Sequence, residues 1–231
     1  MDKIPFDPYD FFGYLASGAV VLLGMQFVFG FPVVLGQEFK VIEGIILLLA
    51  AYVGGHLMAT PAKALLESLV VAKVLRRPSV NLLQPRTHSI RARIFPDYFT
   101  PLPNNVWHSV RSKAEAKGVE GLGEPLFLHV RYCTETQDNE KLLAKLAIYR
   151  TKFGFARNLS FTCILFAVAL GVKIIMTPSP DPNMVTTIVR PDPHLAKYAF
   201  TAAVVGILLF YRYLKFFRQY SYELFNSYGG R

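Results

Sequence analysis

The side chains that could carry chemistry in this chain are dispersed along it. Cys133 lies in a polar stretch and Cys163 in an apolar one, so we expect neither a disulfide nor a paired metal site. No phosphate-binding loop, HExxH, GxSxG or paired CxxC motif occurs in the sequence. We therefore predict no catalytic residue, no cofactor and no metal centre. The five histidines are equally scattered, at His56, His88, His108, His129 and His194.

Two further groupings give catalysis no better support. The glycine-rich stretch GVEGLG at 118–123 does not follow a predicted strand, so we do not expect it to hold a phosphate. The carboxylates of Asp97 and of Glu115 or Glu124 have no spacing that would place them together. An enzyme acting on lipid is an alternative, but it needs a polar cluster that the sequence does not reveal.

One apolar stretch organises the rest of the chain. Residues 159–176 contain a single charge, Lys173, and a bilayer core about 30 Å thick is crossed by about 20 such residues. Similar stretches lie at about 10–31, 41–59 and 195–214, and 52% of the chain is hydrophobic. The first stretch lacks the basic start and cleavage site of a signal peptide. The sequence predicts an all-α membrane protein with four transmembrane helices and a mostly helical cytosolic insert between helices 2 and 3.

The spans divide the chain into four predicted parts. A helix restart at Thr60 and Pro61 predicts an amphipathic helix at 61–75, and Asn139 predicts the start of a helix that runs into the third span. Prolines and glycines leave the structure of 79–135 open, and 126–133 fits a helix or a strand. The parts are an N-terminal hairpin at 1–76, a basic insert at 77–157, a C-terminal hairpin at 158–214 and an aromatic tail at 215–231.

The distribution of basic residues predicts the orientation. Between Lys73 and Arg157 there are 15 Lys or Arg and 7 Asp or Glu, which gives +8 of the net charge of +9. The loops after spans one and three contain Lys40 and Arg190 instead. Because basic loops stay cytoplasmic, we expect the insert and both termini on that side. The charges are spread rather than clustered, which favours a role in orientation alone over a dedicated surface for anionic lipid or nucleic acid. As partners of the membrane protein we expect anionic lipid headgroups and no nucleic acid.

Small and polar residues inside the spans are candidates for function. Small side chains let membrane helices approach closely, within one chain or between copies in a homo-oligomer. Gln26 and His56 are candidates for a pore-lining or polar intramembrane role, although a hydrogen bond between helices is the plainer explanation of each. The packing candidates are Gly13, Ser17, Gly18, Gly54, Gly55, Ala203 and Gly206.

The inner ends of the last two spans carry basic and aromatic residues. We expect these side chains to pair with lipid, to shape an inner vestibule or to bind a partner. The tail at 211–228 holds 8 aromatic residues among 18. The first of them fit an aromatic belt at the headgroups, and the later ones fit a contact surface. The residues concerned are Arg157, Asn158, Arg212, Arg218 and Tyr220.

Three segments carry a resemblance. The opening DFFGYLASG at 10–18, the ARN at 156–158 and the Arg- and Tyr-rich tail at 211–220 resemble uncharacterised small bacterial multi-pass membrane proteins. Some proteins of that size and layout act as membrane effectors in phage defence. The resemblance implies a bacterial inner-membrane location and an effector role, and it covers little of the insert.

Two non-enzymatic hypotheses follow. The first is a self-associating membrane protein whose homo-oligomer alters permeability, as a pore or by depolarisation. The second is an anchor or scaffold that recruits a soluble partner through the insert and the tail. Replacing His56 or Gln26 by Leu separates them, because only the first needs polar groups inside the spans.

Overall fold

The structure, a computed structural model, describes six stretches of the chain. These are residues 8–30, 41–84, 90–119, 121–136, 139–176 and 193–230. Lys40, His88 and Arg190, which the sequence analysis singled out, lie outside the described residues.

The described stretches are helical and contain no strand. Residues 126–133, which fit either a helix or a strand, lie in a helix whose first turn contains Pro125, a position that proline favours. The helices are α1 (Pro8–Phe29), α2 (Val41–Ala62), a π-helical segment (Lys63–Leu75), α3 (Pro78–Leu83), α4 (Ile90–Ile94), α5 (Pro96–Phe99), α6 (Asn104–Glu115), α7 (Glu124–Glu135), α8 (Glu140–Met176) and α9 (Pro193–Gly229).

Four of these helices, α1, α2, α8 and α9, are long and apolar enough to cross a membrane. Only 11% to 22% of the residues in their apolar windows are buried inside the protein, which leaves broad apolar surfaces for lipid or other helices. The predicted class, an all-α membrane protein, is confirmed.

The helix restart predicted at Thr60 and Pro61 is not observed. Pro61 lies inside α2, and the chain continues directly into the π-helical segment Lys63–Leu75. Proline removes one backbone donor and its ring crowds the carbonyl one turn earlier, yet the α-helix continues through it and the wider winding begins at Lys63. The predicted amphipathic helix at 61–75 is therefore the continuation of span two in a wider winding.

Side chains complete the end of this π-helical segment. Asn81 Nδ2 donates to the carbonyl oxygens of Leu75 (3.1 Å) and Arg76 (3.3 Å). Tyr98 Oη also donates to the Arg76 carbonyl, at 2.8 Å, and Arg76 has a φ of +64°. A non-glycine residue rarely adopts that conformation, and here two side chains hold it in place.

The chain divides into two compact units. The membrane unit comprises Met1–Ala64 and Gly154–Tyr211, and the insert unit comprises Leu65–Phe153 and Arg212–Arg231. The predicted tail thus belongs to the same unit as the insert rather than standing apart. The insert unit has its own apolar core, which includes Leu82, Leu102, Val110, Leu126, Val130, Leu146, Leu224 and Phe225.

Candidate functional site

Two glycines of the membrane unit bring α1 and α2 into backbone contact. A Cβ added at Gly18 would overlap the carbonyl oxygen of Ala51, and one at Gly55 would overlap the carbonyl oxygen of Tyr14. Only glycine fits at either position, because each faces the backbone of the other helix. We call the contact between Gly18 and Gly55 the glycine seam.

The other predicted packing residues near this contact also interact with residues of the same chain. Ser17 is fully buried and its hydroxyl donates to the Gly13 carbonyl at 2.8 Å, so its polar group is satisfied inside α1. A Cβ at Gly13 would lie 3.0 Å from the Phe155 ring. A Cβ added at Gly54 would lie 3.9 Å from the Gly18 Cα, an ordinary van der Waals distance.

A second close contact joins α8 to α9. The Ser160 hydroxyl donates to the Gly206 carbonyl at 2.7 Å, and Ser160 is fully buried. A Cβ at Gly206 would lie 2.7 Å from the Ile164 side chain, so this glycine is needed for the approach of the two helices. Ala203 is half-buried one turn earlier on α9.

The predicted lipid-facing pair at the start of span three is internally bonded. Arg157 donates from Nε (3.2 Å) and Nη2 (3.1 Å) to Asn158 Oδ1, and Asn158 is 4% exposed. Arg157 itself is half-buried. Asn158 therefore acts as an internal acceptor, and only the arginine retains surface for a lipid phosphate.

His56 lies on an exposed face of α2. Its ring centroid is 4.6 Å from that of Tyr14 and 6.2 Å from that of Tyr52. Most of the large apolar side chains along α2 are also exposed: Val41, Ile42, Ile45, Ile46, Leu48, Leu49, Val53 and Leu57. We call this surface the α2 face. It combines an exposed imidazole with a broad exposed apolar surface.

Gln26 carries a buried acceptor in α1. Its side-chain Oε1 is inaccessible and has no hydrogen-bond donor among the described residues. A buried amide oxygen without a donor is costly, most of all in a membrane.

Two arginines predicted at the inner interface contact residues of the insert unit. Arg212 lies over the Phe216 ring, 5.3 Å from its centroid, and is exposed. Arg218 donates from Nη2 to the Thr100 carbonyl at 3.0 Å and lies over the Tyr222 ring. Burial lowers the pKa of Arg218, while the carboxylate of Asp97 raises it. The Arg218 side chain is thus held by contacts within the insert unit. Arg212 is the more accessible of the two for lipid or a partner.

Tyr220 and its neighbours belong to the core of the insert unit. Tyr220 is 7% exposed and its ring lies 5.8 Å from that of Phe153. Leu224, Phe225 and Tyr228 are buried in the same core. Of the two interpretations of the aromatic tail, these later residues fit the contact surface, and the surface they contact is the chain's own insert.

The C-terminal turn of α9 is fixed to α6. The Ser109 hydroxyl donates to the Gly229 carbonyl at 2.5 Å, and Lys113 Nζ lies 3.3 Å from the carbonyls of Tyr228 and Gly229. These bonds satisfy carbonyl groups that have no partner within α9, and the lysine complements the negative end of the helix.

The insert unit also contains a cavity that the sequence analysis did not anticipate. Its volume is about 580 Å³, within the range of small-molecule sites. Arg111, Glu115 and Gln84 supply polar groups, and Arg111 Nε donates to Glu115 Oε1 at 2.7 Å. Leu122 and Leu126 supply apolar surface, so the lining is mixed. Gly118, Val119, Gly121 and Leu122 of the glycine-rich stretch border this cavity, a placement that their spacing alone did not indicate.

Among the described residues, no group of three or more His, Cys, Asp or Glu side chains is placed to hold a metal ion. Family models, curated proteins and solved structures were compared with the chain, and none matches it.

Proposed function

We propose that this is a self-associating membrane protein whose copies meet on the α2 face and whose assembly alters membrane permeability. The observation that carries the proposal is the exposure of His56 within a helix apolar enough to span a membrane. An imidazole is costly in hydrocarbon unless it meets a polar partner or water. A second copy of the α2 face offers both an apolar surface and a polar group.

The small residues support contact through the α2 face, because three of the glycines already form contacts within a single chain. Gly18 and Gly55 are occupied by the contact between α1 and α2, and Gly206 by the contact between α8 and α9. These glycines therefore stabilise the single chain, and the broad exposed surface of α2 is free for contact between copies. Permeation would follow the polar groups that such an assembly surrounds, with His56 first among them.

Ion leakage from liposomes that contain the purified protein tests this function. We expect leakage from the unaltered protein and a changed leakage rate in the His56→Leu variant. The matched control is His108→Leu, which removes an exposed imidazole from the insert unit and should leave leakage unchanged. Leakage that is identical in all three proteins would contradict a role for the α2 face in permeation.

The cavity of the insert unit favours a second candidate, a membrane anchor that recruits a soluble partner or ligand. The unit has its own core and a cavity of about 580 Å³ with mixed lining. In that case the spans serve only as an anchor and His56→Leu retains full activity. Two results together would favour this candidate: liposomes that do not leak, and a soluble partner that binds at the cavity lined by Arg111.

A further inference from the structure

Four side chains of the insert unit that could do chemistry meet at one place. His129 and Cys133 lie one turn apart on α7, Lys117 lies in the turn after α6, and Tyr228 lies near the C-terminal end of α9. The sequence separates them by up to 111 positions, so their spacing gave no sign of a cluster. We call these four residues the thiol cluster.

The distances place a base and a cation at the sulfur. Cys133 Sγ lies 3.4 Å from His129 Nε2, within reach for the imidazole to accept the thiol proton. Lys117 Nζ lies 3.9 Å from the same sulfur and donates towards it. A thiolate formed here would therefore face a positive charge as it forms.

Tyr228, on α9, contacts two other members of the thiol cluster. Its hydroxyl lies 3.3 Å from His129 Nε2, and its ring lies 5.8 Å from Lys117 Nζ. Tyr228 is 6% exposed, and burial, together with the nearby Cys133, raises the pKa of its hydroxyl. The tyrosine thus stays protonated and helps to hold both the imidazole and the ammonium group near the sulfur.

We propose that Cys133 is a reactive thiol that small hydroperoxides oxidise, a modification site that goes beyond the proposed function of the membrane unit. His129 accepts the proton of the Cys133 thiol, and Lys117 stabilises the thiolate. The sulfur attacks one peroxide oxygen, so that the S–O bond forms while the O–O bond breaks. The sulfur loses two electrons and becomes a sulfenic acid. The released hydroxide or alkoxide takes the proton from His129 and leaves as water or an alcohol.

Accessibility agrees with this role. Cys133 is half-buried and Lys117 is exposed, so a molecule as small as hydrogen peroxide can reach the sulfur. The other cysteine, Cys163, is 6% exposed among the apolar residues of α8. It provides an unreactive thiol within the same protein.

The test exposes the full-length protein in nanodiscs to limiting hydrogen peroxide and traps sulfenic acid with dimedone. Peptide mass spectrometry then measures the modification at each cysteine. We expect folded Cys133 to react about tenfold faster than the same residue in the denatured chain, because unfolding separates the cluster. Folded Cys163 should remain unmodified. A Cys133 rate that is no higher in the folded than in the denatured protein would overturn the proposal.

Two variants then test whether Lys117 and His129 cause the reactivity of Cys133. Lys117→Met and His129→Gln should each slow the modification of Cys133 by about fivefold, the scale of one partly exposed charge interaction. Lys141→Met, which removes an exposed lysine from α8, should leave the rate unchanged. Unchanged rates in both cluster variants, with helical circular dichroism intact, would refute the assigned roles. Since the folded-to-denatured comparison uses the unaltered protein, it decides the proposal even where a variant fails to fold.

Discussion

At the residue scale, the packing of α1 against α2 in the membrane unit depends on two positions that have no side chain. Gly18 and Gly55 let two backbones touch, and the missing Cβ atoms are what permits it. Van der Waals contact of this kind is a main source of helix association in lipid, since the lipid tails are as apolar as leucine. The glycine seam therefore stabilises the α1–α2 hairpin itself.

Gly55→Ala should open that seam. Its new Cβ would overlap the Tyr14 carbonyl, so we expect a destabilisation of about 1–3 kcal/mol, the usual cost of overpacking. Gly44→Ala is the matched control on the same helix, because a Cβ there meets no atom within 4 Å. It should be neutral or stabilising by up to about 1 kcal/mol through helix propensity. Thermal unfolding in detergent compares them, and equal shifts for both variants would contradict the seam.

Alkaline pH should unfold the insert unit through its buried tyrosines. Burial raises the pKa of Tyr98, Tyr220 and Tyr228. A raised folded-state pKa means that the associated stability is fully present below the unfolded value of about 10 and is lost as the pH rises above it. We expect these phenolates to appear together with the loss of helical circular dichroism.

Single substitutions identify the phenolates in that titration. Tyr98→Phe should remove ultraviolet absorbance from the late phase, which accompanies unfolding. Ionisation of Tyr98 while the helical signal is still intact would contradict its burial.

At the scale of elements, the last helix has two roles. The first part of α9 is a membrane span, and its final turns complete the core of the insert unit through Leu224, Phe225 and Tyr228. The sequence predicted both the span and the aromatic character of the tail, since each is a local pattern. It could not predict that the tail packs on the insert, because the contact with α6 joins residues 115 to 120 positions apart.

Phe225→Ala should therefore destabilise the insert unit rather than release a loose tail. Phe225 is fully buried, and removing such a ring costs about 3–5 kcal/mol. Limited proteolysis of the full-length protein should then cleave faster within α6 and α7. Tyr132→Ala removes an exposed ring from the same unit and is the matched control. Unchanged protease resistance in Phe225→Ala would mean that the tail is dispensable for this core.

The π-helical segment after Pro61 marks a further limit of the sequence. Proline at 61 and the apolar spacing that follows predicted a new helix, but the helix continues through Pro61 and changes to a wider winding at Lys63 instead. The apolar spacing over 61–75 indicated a helix, but it did not distinguish a new α-helix from a continuation of α2 in a wider winding. The glycine seam shows the same limit, because small residues were evident but their pairing was not.

At the scale of the whole molecule, four apolar helices fit a membrane protein, and the concentration of 15 Lys or Arg between Lys73 and Arg157 predicts which side the insert occupies. The cytoplasmic orientation and the bacterial inner membrane stay predictions, as does the role in defence that the resemblance implied. Cysteine-accessibility labelling in sealed vesicles tests the orientation. Cys133 should react only when the cytoplasmic side is exposed to an impermeant reagent, and labelling from the opposite side would contradict it.

Counting subunits in a bilayer tests whether copies of the chain associate through the α2 face. Fluorescently labelled protein is reconstituted at several protein-to-lipid ratios, and bleaching steps are counted in single assemblies. We predict assemblies of two or more copies, with the dissociation constant raised about fivefold in His56→Leu by the loss of one interhelical polar contact. One bleaching step per particle for the unaltered protein at every ratio would contradict self-association.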